Sequence, residues 1–260
     1  MGIFRPKSYQ KSIFDISYDT LKEKGIRCLV FDLDNTLVDD DENRKYAIKQ
    51  VLLDRDEEAT NERVTEFITL DNQFWADRAA GKIRDPYEFK NNEERTTWVR
   101  AQRFLKFFQN ISFEEATGIN SRYINYLSEI VVPIKNSKDI LEYLHKRQYD
   151  IYIATNGPSK AVNDKLSKIE VQHYIKGFYS ADEAGHMKPN RVFFEKMFDK
   201  MDISNKADVL IIGDELEKDV LGGIKNGFDS CWLNTKCVDN STDIKPTYEI
   251  NDLMELKKYL

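Results

Sequence analysis

Cysteine is scarce in this chain, with Cys28, Cys231 and Cys237 the only three among 260 residues. The number is odd and no CxxC spacing occurs. Cys28 and Cys231 fall in strand-like runs, so they read as buried thiols of a reducing cytosol rather than a disulfide framework. Histidine is equally scarce, and His145, His173 and His186 are too scattered for a histidine zinc site. Positive charge is also short. The formal net charge is −6 and no basic block stands out, which argues against a nucleic-acid polymer as partner. No apolar segment reaches the length of a membrane span, and the N-terminus has no signal-peptide core, so a cytoplasmic protein without a membrane partner is expected. What is present is ordinary for a globular protein: 41% hydrophobic residues for a core, and 32% charged, which is somewhat high. The length fits one large or two modest domains.

The most informative stretch is Cys28-Leu29-Val30-Phe31-Asp32-Leu33-Asp34-Asn35-Thr36-Leu37. An apolar run of this kind reads as a buried strand. Two carboxylates at its end are costly unless they bind a cation or do chemistry. Side chains two apart on an extended chain project to the same side. One carboxylate can then attack a substrate while the other moves a proton beside it. Ligands of open α/β sheets bind at such strand ends. The alternative is an Asx-type turn at Asp34-Asn35-Thr36. A calcium loop fits less well, because Leu37 stands where that loop needs glycine.

Three further segments share this form. Asp150-Ile151-Tyr152-Ile153-Ala154-Thr155-Asn156-Gly157 is a β-rich run ending in a hydroxyl residue and a turn, with Val162, Leu166 and Ile169 following at helical spacing. Thr155 can offer its hydroxyl to an anion beside free backbone N–H groups, or simply cap a helix. Lys188-Pro189-Asn190 precedes an amphipathic pattern of Phe193, Phe194, Met197, Phe198 and Met201. Lys188 could bridge a carboxylate and a phosphate oxygen, or be a solvated surface charge. Val209-Leu210-Ile211-Ile212-Gly213-Asp214 ends in another acid, with Asp219 five residues on, a natural place for a metal-binding carboxylate. Gly213 would let the backbone pass close to a neighbour.

The β-rich runs fall near 27–33, 149–155, 176–180, 208–213 and 228–233, with helical patterns between the last four. This alternation predicts an α/β fold with a parallel sheet covered on both faces. Residues 40–132 carry no strong strand signal. Phe67, Leu70, Phe74 and Trp75 recur at helical spacing, Ser112-x-x-Glu115 is a capping-box start, and Ile119, Tyr123, Leu127 and Ile130 share a face. This insert is expected to be a bundle of about four helices. The acidic run Asp39-Asp40-Asp41-Glu42 at its start reads as a solvated hinge in preference to a metal cluster. The expected division is an extension over 1–25, a core from 26–39 and 133–260, and a cap over 40–132. The extension would hold a short helix from Tyr18 to Lys24, stopped by Gly25.

Taken together, the four strand-end segments resemble the haloacid dehalogenase superfamily of aspartate-nucleophile phosphohydrolases, over roughly residues 26–260. Its first motif, Asp-x-Asp-x-Thr, is Asp32-Leu33-Asp34-Asn35-Thr36. Its hydroxyl falls on Thr155, its lysine on Lys188 and its last acids on Asp214 and Asp219. Within that superfamily the body is similar to the YjjG/YfnB-type pyrimidine 5′-nucleotidases. Ala154-Thr155-Asn156-Gly157, Lys188-Pro189-Asn190-Arg191, Asp219 to Gly227, Cys231-Trp232-Leu233-Asn234 and Pro246-Thr247-Tyr248 carry that likeness. Residues Phe4 to Asp39 look more like the YqeG-type branch, whose members lack a large cap.

The resemblance implies a Rossmann-like parallel-sheet core with an inserted helical cap. It implies that Asp32 attacks phosphorus and Asp34 is general acid and then base. Mg²⁺ would sit on the Asp32 carboxylate, the Asp34 backbone carbonyl and Asp214, with Asp219 helping from further out or through a water. Thr155 and Lys188 would hold phosphate oxygens, and Asn156 would support substrate through its amide. The implied partner is a small phosphorylated metabolite, a nucleoside 5′-monophosphate first, with oligomeric state open. The alternatives are a broad sugar-phosphate or phosphoglycolate phosphatase, a phosphosugar mutase, a 2-haloacid dehalogenase, or a catalytically silent scaffold.

Overall fold

The computed structural model describes residues 24–201 and 203–259. Among them, six strands form one sheet: β1 (Cys28–Phe31), β2 (Asp150–Thr155), β3 (Gly177–Ser180), β4 (Val209–Gly213), β5 (Asp229–Leu233) and β6 (Tyr248–Ile250). Their order is β3-β2-β1-β4-β5-β6, and every neighbouring pair is parallel. Helices α1 (Asp40–Leu53), α2 (Asn61–Ala79), α3 (Asn92–Phe108) and α4 (Phe113–Tyr126) lie between β1 and β2 in the chain. Then α5 (Ser137–Lys146) leads into β2, and α6 (Ser159–Lys168) follows it. The short α7 (Ala181–Ala184) follows β3, α8 (Arg191–Lys200) precedes β4, and α9 (Gly222–Lys225) precedes β5.

The inner strands are mostly apolar because both sheet faces are covered. Alternate residues serve the two faces. Leu29, Phe31, Ile151, Ile153, Leu210 and Ile212 pack with Ile140, Leu141 and Leu144 of α5 and Val162 and Leu166 of α6. Cys28, Val30, Tyr152, Ala154, Val209 and Ile211 pack with Phe193, Phe194 and Met197 of α8. The chain leaves β1 for β2 on one side and reaches β4 on the other. This reversal beside β1 opens a crevice at the carboxyl ends of the strands.

Strand β6 is an addition to the five runs read from the sequence. It is three residues long, Tyr248-Glu249-Ile250, paired with Cys231 to Leu233 of β5. Three residues are too few to display a two-residue period, and only the exposed flank of β5 makes them a strand. The extension's residues 1–23, with most of the helix expected from Tyr18, lie outside the described residues. Of its end, Lys24 sits in a turn and donates to Tyr248 Oη at 2.7 Å, and Gly25 holds a left-handed φ of 89°.

Helices α1 to α4 pack around their own cluster, with Phe67, Phe104, Phe107, Ile119 and Tyr123 at its centre. Each has a side-chain N-cap: Asp39, Thr60, Asn91 and Ser112 accept from the third backbone N–H beyond. Inside the bundle the Asp71 carboxylate accepts from Arg103 at 2.9 Å and Arg44 at 2.6 Å, and Arg103 also donates to Asn120. Ile130 departs from the expected apolar face. Helix α4 ends at Tyr126, so Ile130 lies beyond the helical period and is exposed. The acidic run departs as well. Asp39 caps α1, and Asp40 turns inward onto a lysine instead of solvating a hinge.

Candidate active site

Parallel register brings the strand-end residues to one edge. Phe31 aligns with both Ile153 and Ile212, so Asp32, Thr155 and Asp214 emerge just past that level on three adjacent strands. The Asp32 backbone N–H donates to Ile212 O at 2.8 Å, which continues the ladder into the acid.

Lys188 enters from the loop after α7 and is buried. Its Nζ donates to Asp32 Oδ1 at 2.6 Å, Asp219 Oδ1 at 2.6 Å and Ala154 O at 2.7 Å. An ammonium has three protons, and all are used. Burial works against its charge, but Asp219 and Asp32 outweigh burial and raise its pKa above the ordinary lysine value. The solvated-charge reading of Lys188 is therefore excluded. Asn156 holds the Lys188 backbone at both ends. Its Oδ1 accepts from the Lys188 N–H at 2.7 Å and its Nδ2 donates to Lys188 O at 3.2 Å. The sequence reading gave this amide to substrate; in this structure it is committed to the loop that carries Lys188.

Thr155 does not cap α6, which begins after Pro158. Its Oγ1 accepts from the Gly157 N–H at 2.8 Å and donates to Asp34 Oδ2 at 3.4 Å. The other Asp34 oxygen, Oδ1, accepts from Lys165 Nζ at 2.6 Å, and Lys165 donates also to Asp40 Oδ1 at 2.8 Å. Sequence reasoning missed Lys165. The signal was there: it lies between Val162 and Leu166, on the face that α6 turns to the core, where a lysine needs partners. Burial disfavours its charge, and Asp34 and Asp40 more than restore it.

Oxygens of Asp32, Asp214 and Asp219 lie within 4.8 Å of one another. Burial, with Asp219 and Glu215 adding to it, pushes the Asp214 carboxyl up to about 8. Asp32 is held well above the carboxylate range, chiefly by burial; Lys188 opposes this, and the surrounding aspartates add to it. The cluster is thus short of positive charge. Hard, closely spaced carboxylate oxygens at that deficit suit a divalent cation such as Mg²⁺. Asp219 is already occupied, with one oxygen on Lys188 and the other accepting from the Glu215 N–H at 3.1 Å. A Cβ at position 213 would collide with that carboxylate, so the chain needs glycine there. Thr36 Oγ1 donates to Asp214 Oδ1 at 3.4 Å, and Trp232 Nε1 to the Asp214 carbonyl at 2.8 Å.

Beside Lys188 and Asn156 a cavity of about 480 Å³ opens between the helical bundle and the sheet edge, with Trp75, Arg78, Val99 and Arg100 on its bundle side. Arg100 pairs with Asp182 of α7 at 2.8 Å, and Arg95 donates to Gly185 O, so α3 is tied to the core at this wall. Of the insert's aromatics, Trp75 lines the cavity. Phe74 is buried, while Tyr87, Phe89 and Trp98 pack on one another with centroids 4.6 and 5.7 Å apart.

A parallel α/β core with acids at the end of its central strand and a helical insert directly after it defines the class: a hydrolase built on an aspartate-bearing Rossmann-like sheet. Residues 29–233 match the model of the haloacid dehalogenase-like hydrolases, and the chain belongs to that family. It is similar to the HAD-hydrolase YfnB of Bacillus subtilis, at 29% identity over 90% of this chain and 94% of that one. It is also similar to the pyrimidine 5′-nucleotidase PynA of Streptococcus pneumoniae, at 28% over 88% and 92%, and to the pyrimidine 5′-nucleotidase YjjG of Escherichia coli, at 26% over 89% and 96%. The magnesium-bound crystal structure of YfnB, which reveals interdomain movement, superposes with a TM-score of 0.76 at 27% identity, covering 90% of this chain and 97% of that one. Among the described residues no helix is long and apolar enough to cross a membrane.

Proposed function

We propose that this chain is a Mg²⁺-dependent phosphomonoesterase that works through an aspartyl-phosphate, with nucleoside 5′-monophosphates as its first substrates. The observation that carries this reading is the second carboxylate. Asp34 stands beside Asp32 at the same strand end, with Oδ2 toward Thr155. Carbon–halogen displacement needs the nucleophile alone, whereas transfer from an alcohol needs a proton for the leaving oxygen.

In the first step an Asp32 oxygen bonds to phosphorus as the ester P–O bond breaks, and the Asp34 carboxyl gives its proton to the departing oxygen. In the second step Asp34, now a carboxylate, takes a proton from water as its oxygen bonds to phosphorus, freeing Asp32 and inorganic phosphate. When substrate binds, Lys188 turns one of the N–H bonds it now gives to Asp32, Asp219 and Ala154 toward a phosphoryl oxygen, Thr155 turns its hydroxyl from Asp34 to another, and Lys188 offsets the charge that spreads over them. A Mg²⁺ held by the Asp32 carboxylate, the Asp34 carbonyl and Asp214 supplies further positive charge against those oxygens. Asp219 works through Lys188, whose ammonium it anchors. Residues 26–39 and 133–260 form the catalytic core in this reading, and 40–132 the cap that shields transfer from water.

The nucleotide class rests on the relatives' activities and on Trp75, whose ring lines a cavity large enough for a base and sugar. The test compares kcat/KM for UMP, dUMP, dTMP, AMP, ribose 5-phosphate and phosphoglycolate with Mg²⁺ present. UMP, dUMP or dTMP should lead, EDTA should stop turnover, and Asp32→Asn should abolish it with the fold intact. Equal turnover of ribose 5-phosphate or phosphoglycolate would replace the nucleotidase with a broad metabolite phosphatase. Full activity in Asp32→Asn would end the covalent mechanism.

A further inference from the structure

We infer that Lys165 is a positioning residue that ties the proton-carrying carboxylate of Asp34 to the start of the cap. The inference rests on the reading of Asp34 as general acid and base. Lys165 comes from α6, a core helix, yet its ammonium sits between two acids from different parts of the chain. Asp34 follows the nucleophile strand, and Asp40 is the first residue of α1, the first cap helix. The contacts are 2.6 Å to Asp34 Oδ1 and 2.8 Å to Asp40 Oδ1, and Lys165 is 2% exposed. A lysine this buried does not wander.

Occupation of Oδ1 leaves Oδ2 as the oxygen that can carry the proton. Oδ2 is the one turned toward Thr155 and Gly157, on the side where phosphate oxygens bind. By holding Oδ1, Lys165 decides which Asp34 oxygen gives and takes the proton. Asp40 holds the far side of the ammonium. A cap displaced from its seat carries Asp40 away and leaves the Asp34 carboxylate free to turn. Seating of the cap and readiness of the acid are thereby joined through one side chain.

The experiment measures kcat/KM for a series of phosphomonoesters from p-nitrophenyl to alkyl phosphates in Lys165→Met, Lys165→Arg, Asp40→Ala and Asp34→Asn, with melting temperatures alongside. Lys165→Met should lose roughly ten- to a hundredfold more on alkyl than on p-nitrophenyl phosphate, part of the hundred- to ten-thousandfold that acid–base catalysis contributes. Lys165→Arg, which can still span two carboxylates, should restore part of that difference. Asp40→Ala should shift it in the same direction by a smaller factor, and it decides the matter if Lys165→Met does not fold. In the Asp34→Asn background, Lys165→Met should add no further leaving-group dependence. Losses equal for all leaving groups, or additive with Asp34→Asn, would overturn the inference. If Asp34→Asn itself shows no leaving-group dependence, the underlying reading of Asp34 fails, and the inference falls with it.

Discussion

Replacing Lys188 by methionine isolates the electrostatics of the site. The ammonium is held by two carboxylates and a carbonyl, each within 2.7 Å. Methionine keeps most of the volume and removes the charge. Asp32, Asp214 and Asp219 then remain with oxygens within 4.8 Å and no buried cation among them. Removing one partner of a buried ion pair costs about 3–5 kcal/mol. For a chain of this size each kcal/mol moves the melting temperature by about 2–4 °C, so a fall of roughly 6–20 °C is expected in EDTA. Magnesium should recover much of it. Two unit charges about 5 Å apart interact by roughly 3 kcal/mol at an effective dielectric of 20, and the double charge of Mg²⁺ doubles the repulsion that the lysine exerts on it. The variant should therefore bind Mg²⁺ more tightly than the parent, by roughly a hundredfold or more, and gain more on titration with it. Calorimetric melting of both proteins in EDTA and across a Mg²⁺ series reads this directly. A variant that melts beside the parent in EDTA, or gains no more from Mg²⁺, would refute the picture of a cluster deficient in positive charge. Activity should remain low even when the fold is rescued, because a phosphate contact is gone.

Three other perturbations probe separate parts of the structure. Gly213→Ala should push the Asp219 carboxylate from its seat, costing roughly 1–3 kcal/mol by overpacking and loosening Lys188; urea unfolding together with Mg²⁺ affinity reads both, and an alanine variant unchanged in each would contradict the geometry. Asp71→Asn should cost the helical insert about 3–5 kcal/mol by leaving buried Arg103 and half-buried Arg44 without their carboxylate. Although burial acts to raise the Asp71 carboxyl, Arg103 and Arg44 outweigh it and hold the group below the ordinary range. Its stabilisation is therefore present above about pH 4 and declines as pH falls further, so the gap between parent and variant in denaturant melts should narrow only in acid. Trp75→Ala should lower kcat/KM for UMP by roughly five- to a hundredfold if a base stacks on the ring, with ribose 5-phosphate unaffected; equal losses on both would assign Trp75 to packing.

Much of the core was legible because a parallel sheet writes itself in plain terms. The inner strands are buried on both faces, so they appear as mostly apolar runs, and a polar residue ending such a run stands out. That is why Asp32, Thr155 and Asp214 could be named before any contact was known. Local chemistry was equally readable where it stays local: Ser112 caps α4, and the spacing of Phe193, Phe194 and Met197 marks the buried side of α8. Contacts between segments far apart in sequence were not legible. The place of Lys165 between Val162 and Leu166 marks it as facing the core, but its partners do not appear until α6 packs on the sheet, where it meets Asp34 and Asp40, more than 120 positions away. Asp40 looked like solvated charge for the same reason. The resemblance gives the Asn156 amide to substrate, and its two bonds to the Lys188 backbone become visible only with that loop folded over it, while β6 is a strand only because β5 offers an edge. Residue type and period determine which elements form and which chemistry each strand end can carry. Tertiary structure decides which charges neutralise one another, because that depends on distances in a low-dielectric interior that no linear spacing encodes.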